Sequence, residues 1–345
     1  MQKTLIFIIS LIFLMSCSTK VSLNRETWRG NLTPDSLQNI VLEDLKSRPL
    51  YSFNEYEIDI YLKWLSQTEE NFYDRLRHLA EKNINQPYEL YLLGEFPFEL
   101  YDSQPLYVLN KSDCVVFVEH MYAMALSYDW TSFMKTLMHL RYKNGEISVL
   151  TRNHYALYDW KTNNDWLVYD ITDSLDVPTN LDTIRYDKQK FFAERYFLET
   201  DFPKDSLLFS YIPAENIEQA SNFLQTGDLV YVVRGDEKNR WIGHYGLIIV
   251  DDDGLVNILH STPPKVIKQP LMEYVNQSLV TNEKNRKHNE LAKIENPKIH
   301  AYNVSLDEKK FKFFCKPKSY LIPLPYFYGL KFLRPLEPEL LPWEK

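Results

Sequence analysis

The hydrophobic rhythm of this chain changes near Lys111, and that change restricts the fold more than any other feature. Before it, apolar residues recur at helical spacing. Leu37, Ile40, Val41 and Leu45 follow Thr33-Pro34, which reads as an N-cap with proline at the first helical position. Amphipathic stretches around residues 58–65 and 68–82 come next, and the helical region closes in the loop Asn85-Gln86-Pro87-Tyr88. Beyond Lys111 the pattern predicts a helix over about 113–126, a second over 131–140, and then short β-type runs at 156–160, 166–171, 229–233, 245–250 and 255–259. Helices first and strands afterwards, with no internal repeat, predict an α+β fold. Residues 173–222 hold charges and aromatic pairs but no motif with an assignable role.

The first residues carry an address. Lys3 precedes an apolar run from Leu5 to Met15, broken only by Ser10. The run is shorter than the roughly 20 apolar residues a membrane-spanning helix needs, and it has the form of a secretory signal. Leu14-Met15-Ser16-Cys17 resembles a bacterial lipobox, so Cys17 is expected to be lipid-modified at the mature N-terminus. The expected organisation is a signal peptide at 1–17, a polar tether at 18–32, a helical region at 33–84 and a catalytic domain at 85–345. The protein is then exported and anchored to a membrane by lipid, facing the periplasm. A net charge of −8 argues against a nucleic-acid partner, which would need a basic patch.

Three cysteines leave no room for a disulfide framework. Cys315 sits in Phe311-Lys312-Phe313-Phe314-Cys315-Lys316, which reads as a strand. Cys114 has a different setting. In Ser112-Asp113-Cys114-Val115-Val116-Phe117-Val118-Glu119, either Ser112 or Asp113 can cap the helix, which puts Cys114 in its first turn. There the macrodipole and unpaired amides favour a thiolate and can later hold an oxyanion. Val115, Val118 and Tyr122 fall at helical spacing, as do Phe117, Met121 and Met124, so the helix behind the cysteine is expected to be buried.

Of eight histidines, His78, His120 and His139 lie in expected helices, and His288 and His300 in a lysine-rich, solvated stretch. His154, His244 and His260 remain. The runs 245–250 and 255–259 flank Asp251-Asp252-Asp253-Gly254, a strong hairpin signal. A three-residue loop, 251–253 or 252–254, pairs even positions with even ones. His244 and His260 then share one sheet face, opposite each other or on the diagonal. That arrangement suits a base, His244, whose tautomer is fixed by a third group, His260. Gly246 is expected to leave room beside the His244 ring.

Asp113-Cys114 opening a helix, Gly227-Asp228-Leu229-Val230, His244-Tyr245-Gly246-Leu247 and His260 together resemble the NlpC-like, papain-fold cell-wall peptidases. The Cys114 segment, Arg141-Tyr142-Lys143-Asn144-Gly145, Arg152-Asn153-His154-Tyr155 and Asp159-Trp160 resemble the N-acetylmuramoyl-L-alanine amidase-like branch of that superfamily, over roughly residues 85–335. Val116 stands where threonine is common in this branch, and Tyr245 where a smaller apolar residue is usual.

The resemblance implies a papain-like fold, with the nucleophile's helix on an antiparallel sheet. It implies Cys114 as nucleophile, His244 as base and His260 as orienter. The substrate would be peptidoglycan or a muropeptide, cut between N-acetylmuramic acid and L-alanine with no cofactor. Arg152, His154 and Asp159 fall in the branch's block as substrate-pocket residues, or else as an internal ion-pair network. Three other readings compete: an endopeptidase cutting after D-glutamate, a zinc amidase using His154, His244 and His260, and a lipoprotein that binds wall fragments without cutting them.

Overall fold

The computed structural model describes residues 34–308, 316–338 and 340–344. The lipobox with Cys17, the tether, the cap at Thr33 and the strand around Cys315 lie outside them. The chain divides after Val41 into two compact units, and the fold below is that of the second, Leu42–Lys345.

Helix α1, Pro34–Ser47, is followed by α2, Glu55–Thr68, and α3, Phe72–Lys82. The continuous amphipathic stretch expected at 68–82 is interrupted: α2 ends at Thr68, and Asn71 caps α3 by accepting the amides of Tyr73 and Asp74. Helices α4, Cys114–Ala125, and α5, Trp130–Arg141, fall where the periodicity predicts them.

The strands are β1, Val168–Asp170; β2, Asn180–Tyr186; β3, Asp205–Pro213; β4, Leu229–Gly235; β5, Arg240–Val250; β6, Val256–Thr262; β7, Lys265–Pro270; and β8, Tyr326–Pro335. Every pairing is antiparallel, in the order β2-β3-β8-β4-β5-β6-β7, with β1 also on β8. The result is the expected α+β architecture. Residues 173–222 supply β2, α6 (Lys188–Tyr196), β3 and α7 (Ile217–Ser221).

The stretch 156–160 is not a strand. Ala156–Lys161 forms a turn of π-helix, because the Asp159 carboxylate accepts the Tyr155 amide at 3.1 Å and Trp160 turns inward. A local side-chain bond has overridden the β-like composition.

The core on one sheet face joins Val230, Val232, Ile248, Ile258, Leu330 and Phe332 to Leu271, Tyr274 and Val275 from the start of α8, Leu271–Glu308. The rest of α8 holds an extended strap. Asn282, Asn289, Asn296 and Asn303, seven residues apart, donate to the carbonyls of Phe327, Leu324, Leu321 and Lys318 and accept those residues' amides, all at 2.7–2.9 Å. Seven helical residues rise about 10.5 Å, and three extended residues rise about 10 Å. The two periods therefore match.

Candidate active site

Asp113 is the cap of α4, and Oδ1 accepts the amides of Val115 at 3.0 Å and Val116 at 2.9 Å. This leaves the Cys114 amide as the first-turn N–H without an oxygen acceptor among the described residues. From Val116 to Ala125 every residue of α4 is buried, as its apolar side chains on nearly every face require, and Glu119 and His120 are buried with them. The buried Glu119 is satisfied by Arg141 Nη1 and Trp160 Nε1, both at 3.0 Å. Tyr122 Oη donates to the Gly227 carbonyl at 2.8 Å, which ties α4 to the start of β4.

Two contacts place the half-buried Cys114 against the strands that carry the histidines. Ser261 Oγ, next to His260, donates to the Ser112 carbonyl at 2.9 Å. The backbone N–H of Tyr245, next to His244, faces the Cys114 sulfur closely enough to favour its charged form. No hydrogen bond joins that sulfur to His244 directly. Burial, with the Asp113 carboxylate beside it, pushes the Cys114 thiol up to about 12. The dipole was expected to favour a thiolate, but desolvation outweighs it here.

Asp251 N–H bonds to the Leu255 carbonyl at 2.9 Å, so the turn is the three-residue loop 252–254. Register runs Leu247↔Leu259 to Val250↔Val256. Extended by one pair it sets Gly246 against His260, with His244 on the diagonal. His244 Nε2 lies 2.6 Å from His260 Nδ1. Gly246 serves the other ring: a Cβ there would meet Ile258 at 2.8 Å and His260 Cβ at 3.3 Å. Behind His260, Gln269 Nε2 stands 3.2 Å from Nε2. Burial drives both imidazoles down, His244 well below its usual range and His260 to about 4.

Arg152, His154 and Asp159 form no cluster with this pair. Arg152 Nη1 and Nη2 bond to Asp102 Oδ2 at 3.2 Å, Nη1 to the Leu93 carbonyl, and Nε lies 3.3 Å from Glu95. His154 Nε2 bonds to the Val149 carbonyl at 2.7 Å, and Asp159 pairs with Lys188 at 2.8 Å. Arg152 and His154 nevertheless line a recess of about 280 Å³ that reaches Asp113 and Val115. Among the described residues no three His, Cys, Asp or Glu side chains are grouped to hold a metal.

Sequence reasoning missed Arg234, Gln269 and Tyr274. Tyr274 lies against both histidine rings, with centroids at 6.5 and 5.4 Å. A cavity of about 480 Å³ opens beside His260, Gln269, Tyr274 and Arg234. Alternation along β4 places Arg234 two residues past Val232, the partner of His244, although the β4–β5 register shifts there and pairs Arg234 with Trp241.

A family model described as AmiA-like, N-acetylmuramoyl-L-alanine amidase-like, matches residues 79–280. Among solved structures, the chain is similar to a Legionella pneumophila str. Philadelphia 1 protein of the DUF1460 family. The two are 17% identical with a TM-score of 0.61, covering 86% of this chain and 96% of that one. It is also similar to an N-acetylmuramoyl-L-alanine amidase from Bacteroides uniformis ATCC 8492. Two crystal structures of that protein give 16% identity, TM-scores of 0.48 and 0.49, and coverage of 76% and 77% of this chain and 98% and 99% of the other. No curated protein matches. The Legionella likeness extends the shared fold over most of both chains.

Proposed function

The chain belongs to the AmiA-like family of N-acetylmuramoyl-L-alanine amidase-like proteins, and from that premise we propose that it is a cysteine amidase. It cuts the amide between N-acetylmuramic acid and L-alanine in peptidoglycan or its fragments, on a papain-like scaffold of the NlpC type. The observation that carries this reading is Cys114 at the first position of α4, a helix packed on the strands β5 and β6 that hold His244 and His260 as a 2.6 Å pair.

Because burial keeps both the thiol and the imidazole neutral, attack and proton transfer occur together. His244 Nδ1 takes the Cys114 proton as sulfur bonds to the lactyl carbonyl carbon. The carbonyl oxygen becomes an oxyanion, which the Cys114 amide is placed to receive. The C–N bond then breaks, and His244 returns the proton to the departing L-alanine nitrogen. Water attacks the thioester with His244 as base, releasing the muramic carboxylate and the free thiol.

This sequence selects one proton arrangement. His244 Nδ1 is a base only when its Nε2–H donates to His260 Nδ1. His260 Nε2–H must then donate in turn, which asks the Gln269 amide to present its carbonyl oxygen. His260 and Gln269 therefore position the base. Arg152, through Glu95 and Asp102, holds the walls of the smaller recess, and we assign that recess to the sugar or peptide near the scissile amide.

The address at the N-terminus completes the proposal: an exported protein held by lipid on Cys17, with tether 18–32, helical region 33–84 and catalytic domain 85–345, facing the periplasm. Among the described residues no helix is long and apolar enough to cross a membrane.

Mass spectrometry of a defined muropeptide digest, with wild type and Cys114→Ala, tests the chemistry. The expected result is an intact stem peptide with a free L-alanine amine from wild type and none from the variant. A cut inside the stem would move the activity to the endopeptidase class. Turnover surviving in the variant would remove Cys114 as nucleophile.

A further inference from the structure

We propose that the cavity beside His260 is a binding site for a carboxylate of the substrate's peptide, with Arg234 as its cation. This deepens the amidase reading and rests on it. The first observation is one of charge. Among the described residues the lining holds Arg234, His260, Gln269, Tyr274, Gln277 and Asn282, and no Asp or Glu. In a chain of net charge −8, this is a pocket with one fixed cation and no anion to neutralise it.

The second observation is how Arg234 is held. Every other arginine at the core of this fold is answered by an acid: Arg141 by Glu119, Arg152 by Glu95 and Asp102, Arg334 by Asp228. Arg234 has no carboxylate within 4 Å among the described residues, although it is only partly exposed. A half-buried guanidinium without a counter-ion carries a desolvation cost that a bound anion removes.

The third observation is a buried hydroxyl. Tyr274 is 7% exposed and lines the cavity, and its Oη sits beside Arg234 and Ser278 without a well-formed hydrogen bond to either. Burial pushes this phenol up, and the Arg234 charge pulls it the other way, so the two groups are neighbours. A guanidinium beside a phenolic donor makes a receptor for a carboxylate. The amide groups of Gln269, Gln277 and Asn282 extend it along a peptide. Tyr274 also touches both histidine rings, which sets the carboxylate within one residue or so of the cleaved bond.

The probe is a pair of muropeptides that differ in one group: a free carboxylate on the second stem residue, or the carboxamide in its place. Wild type is expected to favour the acid, and Arg234→Gln to lower the acid-to-amide ratio of kcat/KM about tenfold, the scale of one charge-assisted bond. Arg234→Lys should keep part of that preference, and the thermal melts of both variants should match wild type. An unchanged ratio in Arg234→Gln, or a wild type indifferent to the two substrates, would overturn the assignment. Where wild type cleaves neither muropeptide, the amidase reading fails by itself. Calorimetry with L-alanyl-γ-D-glutamate and its carboxamide then decides the site: acid-selective binding lost in Arg234→Gln sustains it, and equal or absent binding ends it.

Discussion

Two recesses border the Cys114 and histidine site: the larger contains Arg234 and His260, and the smaller contains Arg141, Arg152 and Arg195 with His154. In the smaller, Arg152 is spent: Asp102, Glu95 and the Leu93 carbonyl occupy its guanidinium, and Tyr196 Oη lies against it. In the larger, Arg234 faces the cavity without an acid. The histidines differ in the same sense. His154 is bonded to backbone and packed among Phe191, Phe192 and Tyr196, whereas His260 bonds to His244. The same residue types thus build a wall in one recess and a receptor in the other. What separates Arg152 from Arg234 is whether the chain supplies the counter-charge.

The sharpest way to break the comparison is to remove each cation and measure unfolding. Arg152→Ala strands Glu95, which is fully buried, and breaking a buried pair in this manner costs about 3–5 kcal/mol. Arg234→Ala removes no internal pair, so its cost should stay under about 1 kcal/mol. Urea midpoints at constant m-value give both numbers. Equal losses would mean that Arg234 is structural too, and the contrast would collapse.

A second test reads the histidines. Burial and the neighbouring arginine take His154 to about 3 and His260 to about 4 from a normal 6.5. A folded pKa below the unfolded one means that the unfolded chain binds more protons. Stability is therefore full above 6.5 and falls as pH drops toward 3 and 4. The slope is at most about 1.4 kcal/mol per pH unit for each histidine. Removing the Arg234 charge lets His260 titrate higher, so Arg234→Gln should lose stability less steeply than wild type between pH 6 and 4. Unfolding free energies over that range decide it, and superimposable slopes would separate Arg234 from His260.

How far the sequence reveals this site depends on which contacts are local. Asp113 and Cys114 are legible because a cap and the turn it starts lie within four residues. The His244–His260 pair is legible because the hairpin loop fixes parity over sixteen positions. Arg234 follows Val232 by strand alternation, but a register shift in β4–β5 breaks the cross-strand parity there, and its meaning lies in the lack of an acid nearby, an absence in space that leaves no local pattern. The long helix α8 escapes for a related reason. It faces its own strap with asparagines, not apolar residues, so its heptad of Asn282, Asn289, Asn296 and Asn303 carries no hydrophobic period. A search for polar repeats would find it.

The smallest effect comes from Gly243, the residue before His244, whose missing side chain would face Arg234 and not the histidine rings. Gly243 sits beside the irregularity where β4–β5 pairing jumps from Val232↔His244 to Val233↔Ile242. A Cβ there would lie 2.9 Å from Arg234 Cδ and 3.2 Å from its Cβ and Cγ. Arg234 Cγ and Cδ can swing away from a methyl group, and at Cβ the bulged strand need give only a few tenths of an ångström, so Gly243→Ala should change stability by less than about 1 kcal/mol. The swing moves the guanidinium off the cavity, and the acid-to-amide preference should fall about threefold, roughly 0.65 kcal/mol. Gly145, in the other recess's supporting turn, offers the opposite case. Its φ is +73° and an added Cβ would strike the His139 ring at 2.6 Å, so Gly145→Ala should lower the melting temperature and leave that preference intact. Melting curves and the two-substrate ratio on both variants set the comparison at its finest grain. If Gly243→Ala costs stability while the ratio stands, the cavity is shaped for packing and Arg234 points nowhere that matters.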